Sequence, residues 1–455
     1  MASEMMMHRL VVAVLLAWLG AGPAVAQGIR SAPPTEVASE TDPRRFSEPH
    51  LAIHPADPKQ LLAGVIISWV HGPFEETQTR QRCAAFVSRD GGGTWSRHEF
   101  ALLNCGDPQV AILPDGQAVF IALADFPGVE PRRGDWLIVF HSSDAGMTWD
   151  PAPTIIGRGH DHPAVAVDLG SPTRKGWIYV TTHHVWRDGN NQLASGIFVA
   201  RSRNGGKSFD TPAIISPNNL HNFGEMPAVL SDGTLIASFV DDSWGSTSLE
   251  RRRTWVVRST DGATTFTLPF LINDMCGPPP SFQLSALVAD TSEGPFRDRL
   301  YFGCRQYAGG PVVVTASGDR GATWSGARVP VGSRVLDPTA RRVMTMGVTS
   351  NGVVGVLIAE RRTNSAERCL ELSFSASFDG GATFGLPQLV SSSPCGNSSA
   401  DEIANRLFPT YGDYFGIISL PDGNYRLLWP QMQAGRSVLL TTVITVDGRA
   451  IAPPR

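Results

Sequence analysis

Short apolar or alternating runs recur along the chain: CAAFV from Cys83, WLIVF from Trp136, GIFVA from Gly196, TWVVR from Thr254, VVVTA from Val312 and LELSFSA from Leu370. Their length and flanking turn residues predict strands. Each leads into an eight-residue polar box. The boxes are SRDGGGTW (from Ser88), SSDAGMTW (Ser142), SRNGGKSF (Ser202), STDGATTF (Ser259), SGDRGATW (Ser317) and SFDGGATF (Ser377). Their third residues, Asp90, Asp144, Asn204, Asp261, Asp319 and Asp379, are 54, 60, 57, 58 and 60 residues apart. A period this regular implies a repeat architecture. A weaker strand follows each box, so the box is a hairpin turn. Its Asp or Asn accepts backbone N–H groups ahead of it, Gly supplies positive φ, and the closing Trp or Phe offers apolar area to bury between units.

These six boxes resemble the Asp-box, or BNR repeat, of sialidases and related β-propellers. The resemblance implies an all-β propeller of four-stranded antiparallel blades. Counting first strands gives PHLAI (Pro49), PQVAI (Pro108), PAVAV (Pro163), PAVL (Pro227), FQLSALV (Phe282), VMTMGV (Val343) and DYFGIIS (Asp413), which is seven. The seventh unit adds YRLLW (Tyr425) and SVLLTTVITV (Ser437) but has no box and no chain left for a fourth strand. A strand from the leader, around Thr35–Ser39, is expected to close the ring and remove the open edge. We therefore expect seven blades, with the six of sialidases as the alternative.

The opening residues carry Arg9, an apolar run from Leu10 to Leu19, and Ala24-Val25-Ala26. We read residues 1–26 as a signal peptide, with an uncleaved anchor as the alternative. Residues 27–45 form a Pro-rich leader and 46–452 a single propeller domain. The apolar run is too short to span a bilayer. A secreted or periplasmic, monomeric protein is expected. The net charge of −4 gives no basis for nucleic-acid binding.

In such a blade the strand-1 starts and strand-3 starts share one face, with the strand-2 and strand-4 ends. The boxes lie on the other. All six cysteines fall at the first face, so sequential pairing (Cys83–Cys105, Cys276–Cys304, Cys369–Cys395) is geometrically easy and export favours oxidation. Fifteen pairings remain open. Asn397-Ser398-Ser399 fits a glycosylation acceptor if the host glycosylates.

That first face, the funnel, must carry any site. Glu48, Asp107, Asp161, Glu225 and Asp413 precede or begin first strands and are expected to converge near the axis. An acidic funnel suits sugar hydroxyls or a cation such as Ca²⁺, and clustered carboxyls raise one another's pKa, as a general acid needs. Capping of Pro-containing turns is the plain alternative. No cofactor and no metal site is otherwise expected. His160-Asp161-His162 and His183-His184 are adjacent pairs that suit Zn²⁺ or Cu²⁺, without a spacing that demands either. No GxSxG motif supports a serine hydrolase.

The sialidase resemblance implies three clamp arginines, a Tyr nucleophile assisted by a Glu, and an Asp acid/base. Tyr414 in DYFGIISLPDGNYRLLW is similar to the family's tyrosine motif, and Glu225 in GEMPAVLSDGTLIA to the stretch with the assisting Glu. Asp107 and Asp161 are the acid/base candidates. Yet Ser47-Glu48-Pro49 stands where the family has Arg-x-Pro. Pro430 replaces the Glu that steadies that Arg, and Val240-Asp241-Asp242 stands where another clamp Arg is expected. Arg305 and Arg361, with Arg341 and Arg342 nearby, are the residues that could rebuild a clamp or pair with the acidic ring. Three readings follow: a carbohydrate-binding propeller, a sialidase-type glycoside hydrolase using Tyr414 with Glu225, or a protein-interaction propeller.

Overall fold

Each repeat becomes one antiparallel sheet. The computed structural model describes residues 28–41, 43–69, 81–125, 135–216, 222–241, 252–276, 285–306, 311–325, 328–331, 342–364, 367–393 and 412–450. The description excludes the side chains at 222–225, 241, 252, 273–276, 328–330, 342, 361–364 and 367–369. The leader strands are β1 (Gly28–Ser31) and β2 (Thr35–Thr41). Blade one is β3 (Arg44–His54), β4 (Asp57–Trp69), β5 (Arg82–Ser88) and β6 (Ser96–Glu99). Blade two is β7 (Leu103–Ile112), β8 (Ala118–Asp125), β9 (Trp136–Ser142) and β10 (Thr154–Arg158). Blade three is β11 (His160–Val167), β12 (Ile178–Arg187), β13 (Leu193–Ser202) and β14 (Ala213–Ile214). Blade four is β15 (Asn222–Val229), β16 (Leu235–Asp241), β17 (Arg252–Ser259) and β18 (Phe270–Cys276). Blade five is β19 (Ala286–Ala289), β20 (Leu300–Arg305), β21 (Val312–Ser317) and β22 (Arg328–Pro330). Blade six is β23 (Arg342–Val348), β24 (Val354–Asn364), β25 (Glu367–Ser377) and β26 (Gln388–Ser392). Blade seven starts with β27 (Gly416–Ser419), β28 (Tyr425–Gln433) and β29 (Arg436–Asp447).

Successive innermost strands touch, from β3 through β27 and back to β3, so the sheets form a closed seven-bladed β-propeller. The outer strand of the last blade comes from the N-terminal side. β2 pairs with β29 from Thr35↔Thr441 to Thr41↔Arg436, and β1 continues along it from Gly28↔Asp447 to Ser31↔Ile444. These strands cover the edge that β29 would otherwise present, as an outer fourth strand does in the other blades. Among the described residues no helix is long and apolar enough to cross a membrane.

The core is not one central mass but seven layers, each between two neighbouring blades. The closing aromatic of every box enters the layer shared with the preceding blade. Trp95, Trp149, Phe209, Phe266, Trp324 and Phe384 do so in turn. The seventh layer, between blades six and seven, has no closing box aromatic, and Ile29 from β1 packs there.

One hydrogen-bond set holds all six boxes. In the first, the Ser88 hydroxyl donates to Asp90 Oδ1 at 2.8 Å and accepts the Gly92 N–H at 2.8 Å. The Thr94 N–H donates to Asp90 Oδ1 at 2.9 Å, and its hydroxyl to Oδ2 at 2.7 Å. The third box keeps the pattern with Asn204, whose amide NH₂ donates to the Ser208 hydroxyl at 2.8 Å.

The expected Cys83–Cys105 bridge is formed, with Cα atoms 5.6 Å apart, and ties β5 to β7. Cys304 is also disulfide-bonded. The side chains of Cys276 and Cys369, all of Cys395, the leading residues 1–26 and Asn397-Ser398-Ser399 lie outside the described residues.

Candidate functional site

Three neighbouring blades repeat one distortion at the funnel end of their first strand. The register with the second strand slips between Ser47 and His50, between Gly106 and Gln109, and between Asp161 and Ala164. Within each slip a non-glycine residue precedes a proline with positive φ: Glu48 (50°), Asp107 (50°) and His162 (46°). Left-handed backbone is unfavourable for a side chain with a Cβ, costing on the order of 1–3 kcal/mol, and such strain collects at functional positions.

The distortions bring the three residues together. The carboxyl groups of Glu48 and Asp107 hydrogen-bond each other, and the His162 N–H donates to Asp107 Oδ2 at 3.2 Å. From the seventh blade, the Asp413 backbone bonds Glu48. Gly412 makes that approach possible: its φ is +83°, and a Cβ there would sit 2.0 Å from Glu48 Cγ. Glu48, Asp107 and Asp413 are all buried. Burial raises the Glu48 carboxyl well above the usual carboxylate range, and the charges of Asp107 and then Asp413 push it further.

Tyr414 sits beside this trio. Its hydroxyl donates to the Pro108 carbonyl at 3.3 Å and also bonds the Gln109 side chain. Burial, followed by the charges of Glu48 and Asp107, drives the phenol well above its ordinary pKa. The site holds Tyr414 as a neutral phenol, a hydrogen-bond donor, and opposes the phenolate that a nucleophile requires.

Below lies a cavity of about 180 Å³ lined by innermost-strand residues. His50, Gln109, His162 and Tyr414 belong to its polar lining, and Met226 and Met344 to its apolar wall. Pockets for small organic ligands run from about 300 Å³ upward. This cavity is smaller than that.

The five expected carboxylates thus divide. Glu48, Asp107 and Asp413 converge. Asp161 is exposed, one residue before the strained position, and joins the group through His162, whose Nε2 lies 3.9 Å from its Oδ1. In blade three it is His162, not Asp161, that takes the place of Glu48 and Asp107. The signal was the residue directly before each proline, in SEP, GDP and DHP. Sequence reasoning also passed over His50 and Gln109, since their polar side chains sit inside apolar first-strand runs. Arg305 ends β20 with its side chain buried and engaged. The side chains of Glu225, Arg361 and Arg342, and all of Arg341, lie outside the described residues.

Two other histidines of blade three form an aromatic stack. His160 packs on His184 with ring centroids 4.4 Å apart, and His184 stacks on Trp186 at 5.4 Å. Burial, then the neighbouring imidazoles, lowers His160 to about 3 and His183 to about 4.

No protein-family model matches the chain, and no curated protein matches it either. Among solved structures it is similar to a protein of unknown function from Dyadobacter fermentans, with 12% identity over 92% of this chain and 100% of that one and a TM-score of 0.49. It is similar to a Hadza microbial sialidase at 15% identity, covering 89% of this chain and 66% of that one, with a TM-score of 0.48. An α-L-arabinanase from Penicillium chrysogenum, in complex with arabinobiose, shows 13% identity over 76% and 98% of the two chains and a TM-score of 0.47. At such identities the likeness concerns fold alone, and propellers host many chemistries.

Proposed function

We propose that the funnel mouth binds a neutral, hydroxyl-rich ligand, a carbohydrate, and that the chain serves as an exported, monomeric carbohydrate-binding propeller. One observation carries this reading: the charges that act on buried Glu48 are those of two further carboxyls, Asp107 and Asp413. A raised pKa favours the protonated carboxyl, which both donates and accepts and so matches sugar hydroxyls. A sialate carboxylate placed there would meet repulsion.

Glycoside hydrolysis is the second reading, because a carboxyl kept protonated is what a general acid requires. In its sialidase-type form, with Tyr414 as nucleophile and Glu225 assisting, burial and the charges of Glu48 and Asp107 oppose the deprotonation that Tyr414 needs.

Binding to an array of neutral and sialylated glycans, with hydrolysis of a fluorogenic sialoside in parallel, separates the readings. We expect retention of neutral glycans, loss of that retention in Asp107→Ala, and no sialoside turnover. Sialic acid release abolished by Tyr414→Phe would overturn the proposal and point to a clamp rebuilt from Arg305 and Arg361.

A further inference from the structure

Asp107 and His162 occupy the strained positions of adjacent blades, and Asp161 precedes the second of them. One ligand atom from each of the three lies within 4.8 Å of the others. The His162 ring lies between the two carboxylates, with Nδ1 4.0 Å from Asp107 Oδ2 and Nε2 3.9 Å from Asp161 Oδ1. Both gaps are too long for hydrogen bonds. An imidazole gives one nitrogen to an ion, and one ring nitrogen with one oxygen from each carboxylate makes the set that lies within 4.8 Å.

The surroundings point the same way. The His162 N–H donates to Asp107 Oδ2 at 3.2 Å and to Asp161 Oδ1 at 3.1 Å, so one peptide group aims both carboxylates at the same region. Among the described residues the one ion-pair partner of either carboxylate is His162. Behind Asp107, Glu48 is only 4% exposed and its Oε2 has no hydrogen-bond partner. Its bond to Asp107 is the outer-shell contact that orients a ligating carboxylate. Access is open on one side, because the Asp161 side chain is 53% exposed while those of Asp107 and His162 are 12% and 13% exposed.

We propose that Asp107, Asp161 and His162 bind one divalent transition ion of the zinc class at the funnel mouth. One imidazole with two carboxylates is a borderline donor set suited to zinc, and unlike the six to eight oxygens that calcium prefers. Three protein ligands leave coordination positions open to solvent or to a ligand above. The inference stands without the carbohydrate reading, because the ion is titrated with no sugar present.

The test is calorimetric titration of ZnCl₂ into tag-free, chelator-treated full chain, with melting temperature measured alongside. We expect one saturable site per chain and a rise in melting temperature on saturation. Asp161→Ala alters an exposed side chain and so spares the fold. We expect it, like His162→Gln, to weaken binding at least about tenfold, as loss of a ligating or orienting group does. The exposed control His98→Gln should match the native chain. Failure of zinc to saturate, saturation by calcium in its place, or binding unchanged in both Asp161→Ala and His162→Gln would each overturn the proposal.

Discussion

The Tyr414 hydroxyl of blade seven donates to the Pro108 carbonyl of blade two, 3.3 Å away and 306 positions earlier in the chain. It reaches across blade one, so the segment leading into β27 is tied to β7 in a buried region. That contact is both a structural link and the edge of the candidate site.

Removing it should be costly. Tyr414→Phe keeps the ring and leaves a buried carbonyl short of a partner, which costs about 1–3 kcal/mol. Urea denaturation measures this directly. A midpoint equal to that of the native chain would show that the hydroxyl does not bear on the link.

The boxes act on stability and not on the site, because they lie on the opposite face. Asp319 accepts the Thr323 N–H at 2.8 Å and the Ser317 hydroxyl at 2.8 Å. Desolvation raises its carboxyl, but the Thr323 and Ser317 hydrogen bonds outweigh it and hold the group below its ordinary value. Asp319→Ala should destabilise by about 1–2 kcal/mol, as loss of a comparable turn or cap acceptor does. Glycan retention by the folded variant should be unchanged, and a parallel loss of retention would contradict this separation.

The Cys83–Cys105 bridge closes a loop with a sequence separation of 22 and enters β7 two residues before Asp107. By the loop-entropy relation, its removal in Cys83→Ala/Cys105→Ala should lower stability by about 3 kcal/mol. The double variant is compared with the native chain by denaturant midpoint at equal slope.

His50 makes the funnel sensitive to mild acid. Desolvation lowers it from 6.5 to about 4, and its Nδ1 accepts the Val110 N–H at 3.1 Å. Because the folded value lies below the unfolded one, this stabilisation is full above pH 6.5 and fades as pH falls toward 4, where the unfolded chain takes up the proton first. Melting temperature should fall across that window in the native chain and fall less steeply in His50→Gln. Equal slopes would show that other groups carry the acid limb.

The repeat itself was legible from the residues, and for a local reason. Asp90, Gly92, Thr94 and Trp95 lie within one turn, so their hydrogen bonds and the apolar run before them are written in adjacent positions. The count of seven was legible too, because first strands such as PHLAI and PAVAV recur even where the box is missing.

What only the tertiary structure decided is which funnel residues meet. Asp161 and His162 are equally good candidates by spacing, and the bulge before Pro163 selects His162 for the position that Glu48 and Asp107 hold in their own blades. The contact between Glu48 and Asp107 joins residues 59 positions apart, and Tyr414 reaches Pro108 only because the innermost strands of blades seven, one and two meet around the axis. The pKa values of Glu48 and Tyr414 follow from that closure, since burial and neighbouring charge are properties of the assembled ring and of no single blade.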